Sequence, residues 1–122
     1  MKDKTSTAEN PVMRPWMSDV FNRVYAPDPT TRQDRLASPA WITNLDSLAG
    51  IAPALIITCE LDRLRNEGVS YAHALDAVGA LVEHHDVPGN DHGYNILDFG
   101  TRTQTEHIYD RIVDHVRHAT SK

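Results

Sequence analysis

The sequence predicts an α/β fold built on parallel strands, and three observations carry that expectation. Ala54-Leu55-Ile56-Ile57-Thr58-Cys59 is a short apolar run without alternation, rich in β-branched residues and entered through Pro53. Such a run suits a strand buried on both faces, as parallel strands are. Leu81 to Val87 is a second strand candidate, stopped by Pro88-Gly89. Between the two, Tyr71, Ala74, Leu75 and Val78 recur at helical spacing, and Gly79 stands where a left-handed C-terminal residue is expected. Strand, helix, strand and closing helix make a βαβα unit, whose crossovers are right-handed.

Residues 1 to about 10 are polar and aperiodic and are expected to be a disordered lead-in, leaving 11–122 as the folded part. From Met13 onward, Met13, Trp16, Met17, Val20 and Val24 follow one face of a helix. Pro15 suits its first turn, where a missing N–H is no loss, and the helix should end before Pro27. Ala26 to Thr31 reads as loop, and Ser38-Pro39 as a further turn. Ile108, Tyr109, Ile112, Val113 and Val116 line the closing helix, with Thr103 and Glu106 offering a Ser/Thr-x-x-Glu start. Two strands are too few for a sheet buried on both faces, since three or more are usually needed for independent stability. Trp41-Ile42-Thr43 is too short to be a central third strand, so the expected sheet is incomplete.

Twelve Lys and Arg against 17 Asp and Glu leave a net charge of −5. That balance argues against a nucleic-acid partner, which would call for a basic face, and against attraction to anionic membranes. Leu48 to Cys59, the longest nearly apolar stretch, is interrupted by Gly50, Pro53 and Thr58 and is too short to span a bilayer. No apolar core follows the first lysines, so no signal peptide is read, and one cysteine makes no internal disulfide. A cytoplasmic protein is expected.

In open parallel sheets the chemistry gathers in loops beyond the carboxyl ends of the strands. Two such loops are expected here, Glu60-Leu61-Asp62-Arg63-Leu64-Arg65 and Pro88-Gly89-Asn90-Asp91-His92-Gly93-Tyr94. Neighbouring parallel strands deliver both to one edge, so Asp62 and His92 can meet. A carboxylate that orients an imidazole is the support half of a nucleophilic triad. The plainer alternative is an Asp capping the next helix and a surface His in a Gly-rich turn. Asp91 is a second candidate partner, but direct neighbours rarely converge.

Cys59 lies inside an apolar strand and is read as a small buried hydrophobe rather than a nucleophile. His84 and His85 should point to opposite faces of their strand, which suits no shared metal. His115 and His118 share a helix face without a His-Glu-x-x-His motif or a Cys pair, and read as a solvated helix end. No metal and no cofactor are expected.

The block Pro53-Ala54-Leu55-Ile56-Ile57-Thr58-Cys59-Glu60-Leu61-Asp62-Arg63-Leu64-Arg65-Asn66-Glu67-Gly68 resembles the PPALxxTAExDPLRDEG segment of the hormone-sensitive-lipase-like α/β-hydrolases, the fold-3 carboxylesterases. Tyr71 to Gly79 is similar to the family's YAxxLxxAG, and Pro88-Gly89-Asn90-Asp91-His92-Gly93-Tyr94 to its PGxxHGF. Upstream, Leu36-Ala37-Ser38-Pro39 resembles its ASP turn and Tyr25-Ala26-Pro27-Asp28 its YxPD. The resemblance covers about residues 10–95 and implies the C-terminal portion of an α/β-hydrolase fold. It places the triad aspartate on Asp62 and the triad histidine on His92, and implies a small ester substrate. It also implies that Trp16, Met17, Phe21 and Tyr25 help cover an acyl pocket; packing against the rest of the sheet is the alternative. Glu67 and Gly68 match family positions at a helix start and are read as structural.

The departures are Arg63 for Pro, Asn66 for Asp and Tyr94 for Phe. More serious, none of Ser6, Ser18, Ser38, Ser47, Ser70 and Ser121 sits in a Gly-x-Ser-x-Gly elbow, and no His-Gly-Gly-Gly stretch occurs. The nucleophile and oxyanion donors are therefore expected upstream of this chain, which alone should be inactive. The alternative is a non-catalytic α/β module that self-associates through an exposed strand edge.

Overall fold

The structure, a computed structural model, describes residues 4–97 and 100–121. Its helices are α1 (Pro15–Tyr25), α2 (Arg65–Ala77) and α3 (Arg102–Thr120), and its strands β1 (Ala54–Cys59) and β2 (Leu81–Val87). The two strands lie side by side and parallel, with Ile56 opposite His84, Thr58 opposite Asp86 and Cys59 opposite Val87. Both strands have the bounds read from the sequence. Trp41-Ile42-Thr43 forms no strand; Pro39–Trp41 is a turn of 3₁₀ helix, and two strands make up the sheet among the described residues.

The period-two alternation of the strands divides the molecule. On one face Thr58, His84 and Asp86 meet α2. Its approach is close enough that a Cβ on Gly68 would stand 2.7 Å from Thr58 Cγ2. Leu75 and Ala72 are fully buried on this helix. On the other face Cys59, Val87, Tyr94 and Ile108 form the core cluster, with Ile57 packed against it. Arg111 of α3 pairs there with Glu83 of β2. His84 and His85 do divide between the faces: His84 bonds Thr58, while the His85 ring lies 5.6 Å from that of His107 on α3.

Several local expectations are corrected. α2 starts at Arg65, so Glu67 stands in its first turn, in keeping with the helix start that the matched family positions imply, and its opening turns approach the sheet through Gly68. Gly79 ends the helix region at φ +70°, as its position suggested. The stretch after Pro27 is not plain loop: Asp28 accepts the Thr30 N–H and starts a 3₁₀ turn at Pro29–Gln33. The capping box of α3 is Thr101 with Gln104, not Thr103 with Glu106. Glu106 instead pairs with Arg102 one turn back, at 2.7 Å.

α1 occupies its expected place with Pro15 in the first turn, yet its apolar stripe is not inward. Trp16 is 62% exposed and Val24 79%, while the buried position within the helix is Ser18, and Met13 is buried just before its start. No other described element packs over that stripe. Residues 4–10 carry no helix or strand, but Lys4 reaches Glu67 at 3.5 Å and the Ser6 hydroxyl donates to the Leu61 carbonyl. The start of the lead-in, residues 1–3, lies outside the described residues. Among the described residues no helix is long and apolar enough to cross a membrane.

Candidate active site

Because β1 and β2 are parallel neighbours, the turns that follow them leave from the same edge of the sheet. The strand ladder continues into these turns. Glu60 N–H donates to the Val87 carbonyl and Leu61 N–H to the Asn90 carbonyl, each at 3.0 Å. The Glu60 carboxylate accepts the Gly89 N–H at 2.7 Å, and Gly89 holds a φ of +67° that suits glycine.

This stitching brings Asp62 and His92 together across 30 positions. His92 Nδ1 stands 2.9 Å from Asp62 Oδ2. The other oxygen, Oδ1, accepts the Leu64 N–H at 2.9 Å. An ionised carboxylate only accepts, so the shared proton sits on Nδ1. The carboxylate is nearly enclosed, at 12% side-chain exposure, whereas the imidazole is 42% exposed. Among the described residues no hydrogen bond occupies His92 Nε2, the nitrogen left for proton exchange.

The rival partner is employed elsewhere. Asp91 Oδ2 accepts the Val12 N–H and its Oδ1 the His92 N–H, both at 2.7 Å. It fixes the backbone of the turn and ties down the segment before α1. Cys59 is buried under the same turns. Burial first, then the negative charges of Asp62, Asp86 and Asp91, push its thiol up to about 11, which leaves almost no thiolate at neutral pH.

Asp62 and His92 open onto a cleft of about 690 Å³, walled by Phe21, Tyr25, Pro39, Leu64 and Tyr71. Phe21 and Tyr25 come from α1 and Pro39 from the turn after Ser38, so the segments before β1 form one side of the site. Lys4, Glu67 and Arg65 also stand at its wall, with both cations engaged, Lys4 by Glu67 and Arg65 by Asp86. A second groove, of about 790 Å³, lies between the strands and α3 and holds His107, His115 and His118 but neither Asp62 nor His92. His118 Nδ1 there bonds the Asp114 carbonyl of its own helix. No group of three His, Cys, Asp or Glu that suits a metal forms among the described residues.

Beneath the site lies a network that the sequence reading missed. Arg65 Nε donates to both carboxylate oxygens of Asp86 at 3.0 Å, and Nη2 to Oδ2 at 2.8 Å. The Thr58 hydroxyl donates to Asp86 Oδ1 at 2.6 Å. Having one proton, it accepts from His84 Nε2 at 2.9 Å. The hydrogen bonds from Arg65 hold the Asp86 carboxyl below its ordinary range; partial burial opposes this and the Thr58 bond adds to it. A signal was present in His84 and Asp86, which strand alternation places on one face, but Thr58 joins them only through the register of the strands, and the basic partner across the crossover had no local mark.

A family model described as "alpha/beta hydrolase fold" matches residues 1–96. Over 90 residues, 74% of this chain, the sequence is 32% identical to carboxylesterase NlhH of Mycobacterium tuberculosis, covering 28% of that protein. It is 45% identical over 56 residues to carboxylic ester hydrolase LipN of the same species, covering 45% of this chain and 15% of that one. It is 37% identical over 75 residues to the ethyl acetate hydrolase of Pseudomonas putida, covering 61% of this chain and 22% of that one. The chain thus spans less than a third of the length of each of these relatives. With the parallel pair, the crossover helix and the matched blocks in one order, the chain belongs to the α/β-hydrolase fold family, in its hormone-sensitive-lipase-like, fold-3 branch.

Proposed function

We propose that Asp62 and His92 form the relay half of a Ser-His-Asp triad for carboxylic ester hydrolysis. His92 Nε2 takes the proton of a serine hydroxyl as its oxygen attacks the ester carbonyl. Asp62 holds the imidazole in the Nδ1–H tautomer and stabilises the imidazolium that forms. That proton passes to the leaving alkoxide, and water, activated in the same way, releases the acyl group as acid. The observation that carries the reading is the 2.9 Å bond between Nδ1 and Oδ2, with Nε2 open beside an apolar-walled cleft. The names of the relatives support a carboxylic ester as substrate, and that of the ethyl acetate hydrolase a small one. Neither metal nor cofactor has a part in this chemistry.

The 122 residues hold no Gly-x-Ser-x-Gly elbow and no His-Gly-Gly-Gly stretch, so the serine and the oxyanion donors have to come from other polypeptide. Losing a triad member leaves about 10³–10⁴-fold catalysis only while the oxyanion hole and binding persist, and one oxyanion donor is worth about 10²–10³. The chain alone should therefore hydrolyse p-nitrophenyl butyrate no faster than free imidazole. Joined to the upstream part of the mycobacterial carboxylesterase, it should gain an esterase activity that His92→Ala abolishes. An active chimera indifferent to His92→Ala and Asp62→Asn would refute the assignment, and a large His92-dependent rate in the chain alone would refute the requirement for a second part.

A second reading, association through a strand edge, is favoured by β1 and β2 each having one open side and by the exposed apolar residues of α1.

A further inference from the structure

Arg65 belongs to both halves of the site. It is the first residue of α2, and its N–H donates to the Asp62 carbonyl at 3.0 Å, closing the turn that carries the carboxylate. Its guanidinium grips Asp86 in a two-pronged contact, Nε on Oδ1 and Nη2 on Oδ2, and Asp86 lies near the end of β2, in the strand that leads to His92. The main-chain bonds between the two turns set the spacing of the backbones. They leave the tilt of the first turn of α2 free, and that tilt decides where Asp62 Oδ2 lies, because Leu64, just before the helix, holds Oδ1. Gly68 seats α2 against Thr58, and Thr58 is itself bonded to Asp86. The fork of Arg65 thus joins the helix start to the strand end at a fixed angle, with the planar match to a carboxylate that a lysine lacks.

Resting on the reading of Asp62 and His92 as a relay pair, we propose that Arg65 is a positioning residue for that pair, acting through its ion pair with Asp86 rather than by touching the substrate. The test is ¹⁵N–¹H NMR of the full chain, reading the fraction of neutral His92 protonated at Nδ1. That fraction responds to the alignment of Asp62 and not to stability as such. Asp62→Asn sets the scale, and Arg102→Gln, which breaks an exposed pair on α3, is the control. Arg65→Gln and Asp86→Asn should each lose at least half of the Nδ1–H excess that Asp62→Asn removes, with Arg65→Lys restoring only part of it. A folded Arg65→Gln with the wild-type fraction overturns the proposal. If that variant does not fold, Arg65→Lys decides by the same criterion; failure of both to fold also overturns it, since Arg65 would then hold the fold and not the relay. Should Asp62→Asn itself leave the His92 fraction unchanged, the relay reading fails, a different result from a failure confined to Arg65.

Discussion

Asp62 and Asp91 offer the same carboxylate to the same imidazole, and their surroundings divide the work between them. Asp91 spends its oxygens on two main-chain N–H groups, so Asp62 is left to meet Nδ1. Adjacency in sequence counted for little, because the oxygens of the neighbouring carboxylate are taken up by the main chain. Tyr94 shows a different local effect. It stands where the family has Phe, it is 3% exposed, and its hydroxyl finds no hydrogen-bond partner among the described residues. Burial pushes the phenol up from its ordinary range. An unpaired buried hydroxyl costs about 1–3 kcal/mol, so Tyr94→Phe should stabilise the chain by about 1 kcal/mol. Urea unfolding checks this: the midpoint should rise with the slope unchanged, and an unchanged or lower midpoint would mean the hydroxyl is satisfied.

Among the elements, strands and helices were legible wherever one apolar face met one neighbour. β1 and β2 keep their bounds because a run of β-branched residues between a proline and a turn has few other uses. The start of α2 is marked by Glu67 and Gly68 rather than by its apolar period, because Gly68 approaches Thr58 with no apolar side chain to mark the contact. The same helix start joins β2 through Arg65 and Asp86, and this pair gives the fold a pH dependence. The Asp86 carboxyl is held below its ordinary range. Its contribution is therefore full above the unfolded-state value near 4 and is lost as pH falls through the lower folded value. Both side chains are partly open to solvent, 37% for Arg65 and 29% for Asp86, which limits the contribution to about 0.5–1 kcal/mol. Asp86→Asn should cost about that much at pH 7 and nearly nothing at pH 2. Equal losses at both values would show that the ionised pair is not the source.

At the scale of the whole molecule, the chain exposes 8191 Å², whereas a compact monomer of its mass is expected to expose about 6,600 Å². The excess is about twice the area that one partner loses in a standard interface. It includes Trp16, Phe21 and Val24 on α1 and Val113 and Val116 on α3, all at least 44% exposed. The helical period puts Trp16 and Val24 on one face of α1 and Val113 and Val116 on one face of α3, while Phe21 lies off that stripe. The period was right, but a period states only that a face is apolar and not what will cover it. Size-exclusion chromatography should accordingly show an apparent mass that rises with concentration above that of a 13.7 kDa monomer. A concentration-independent monomer would rule out the association reading.

The sequence by itself determined the α/β class, the strand bounds and the two turns that bear Asp62 and His92. It could do so because strand burial, helix period and turn chemistry are written in neighbouring residues. Only the tertiary structure decided that Asp91 holds the Val12 and His92 N–H groups instead, that Arg65 clasps Asp86, and that the faces of α1 and α3 stand open to solvent. Those outcomes depend on distances between residues remote along the chain, which become defined only when the strands pair and α2 settles on them.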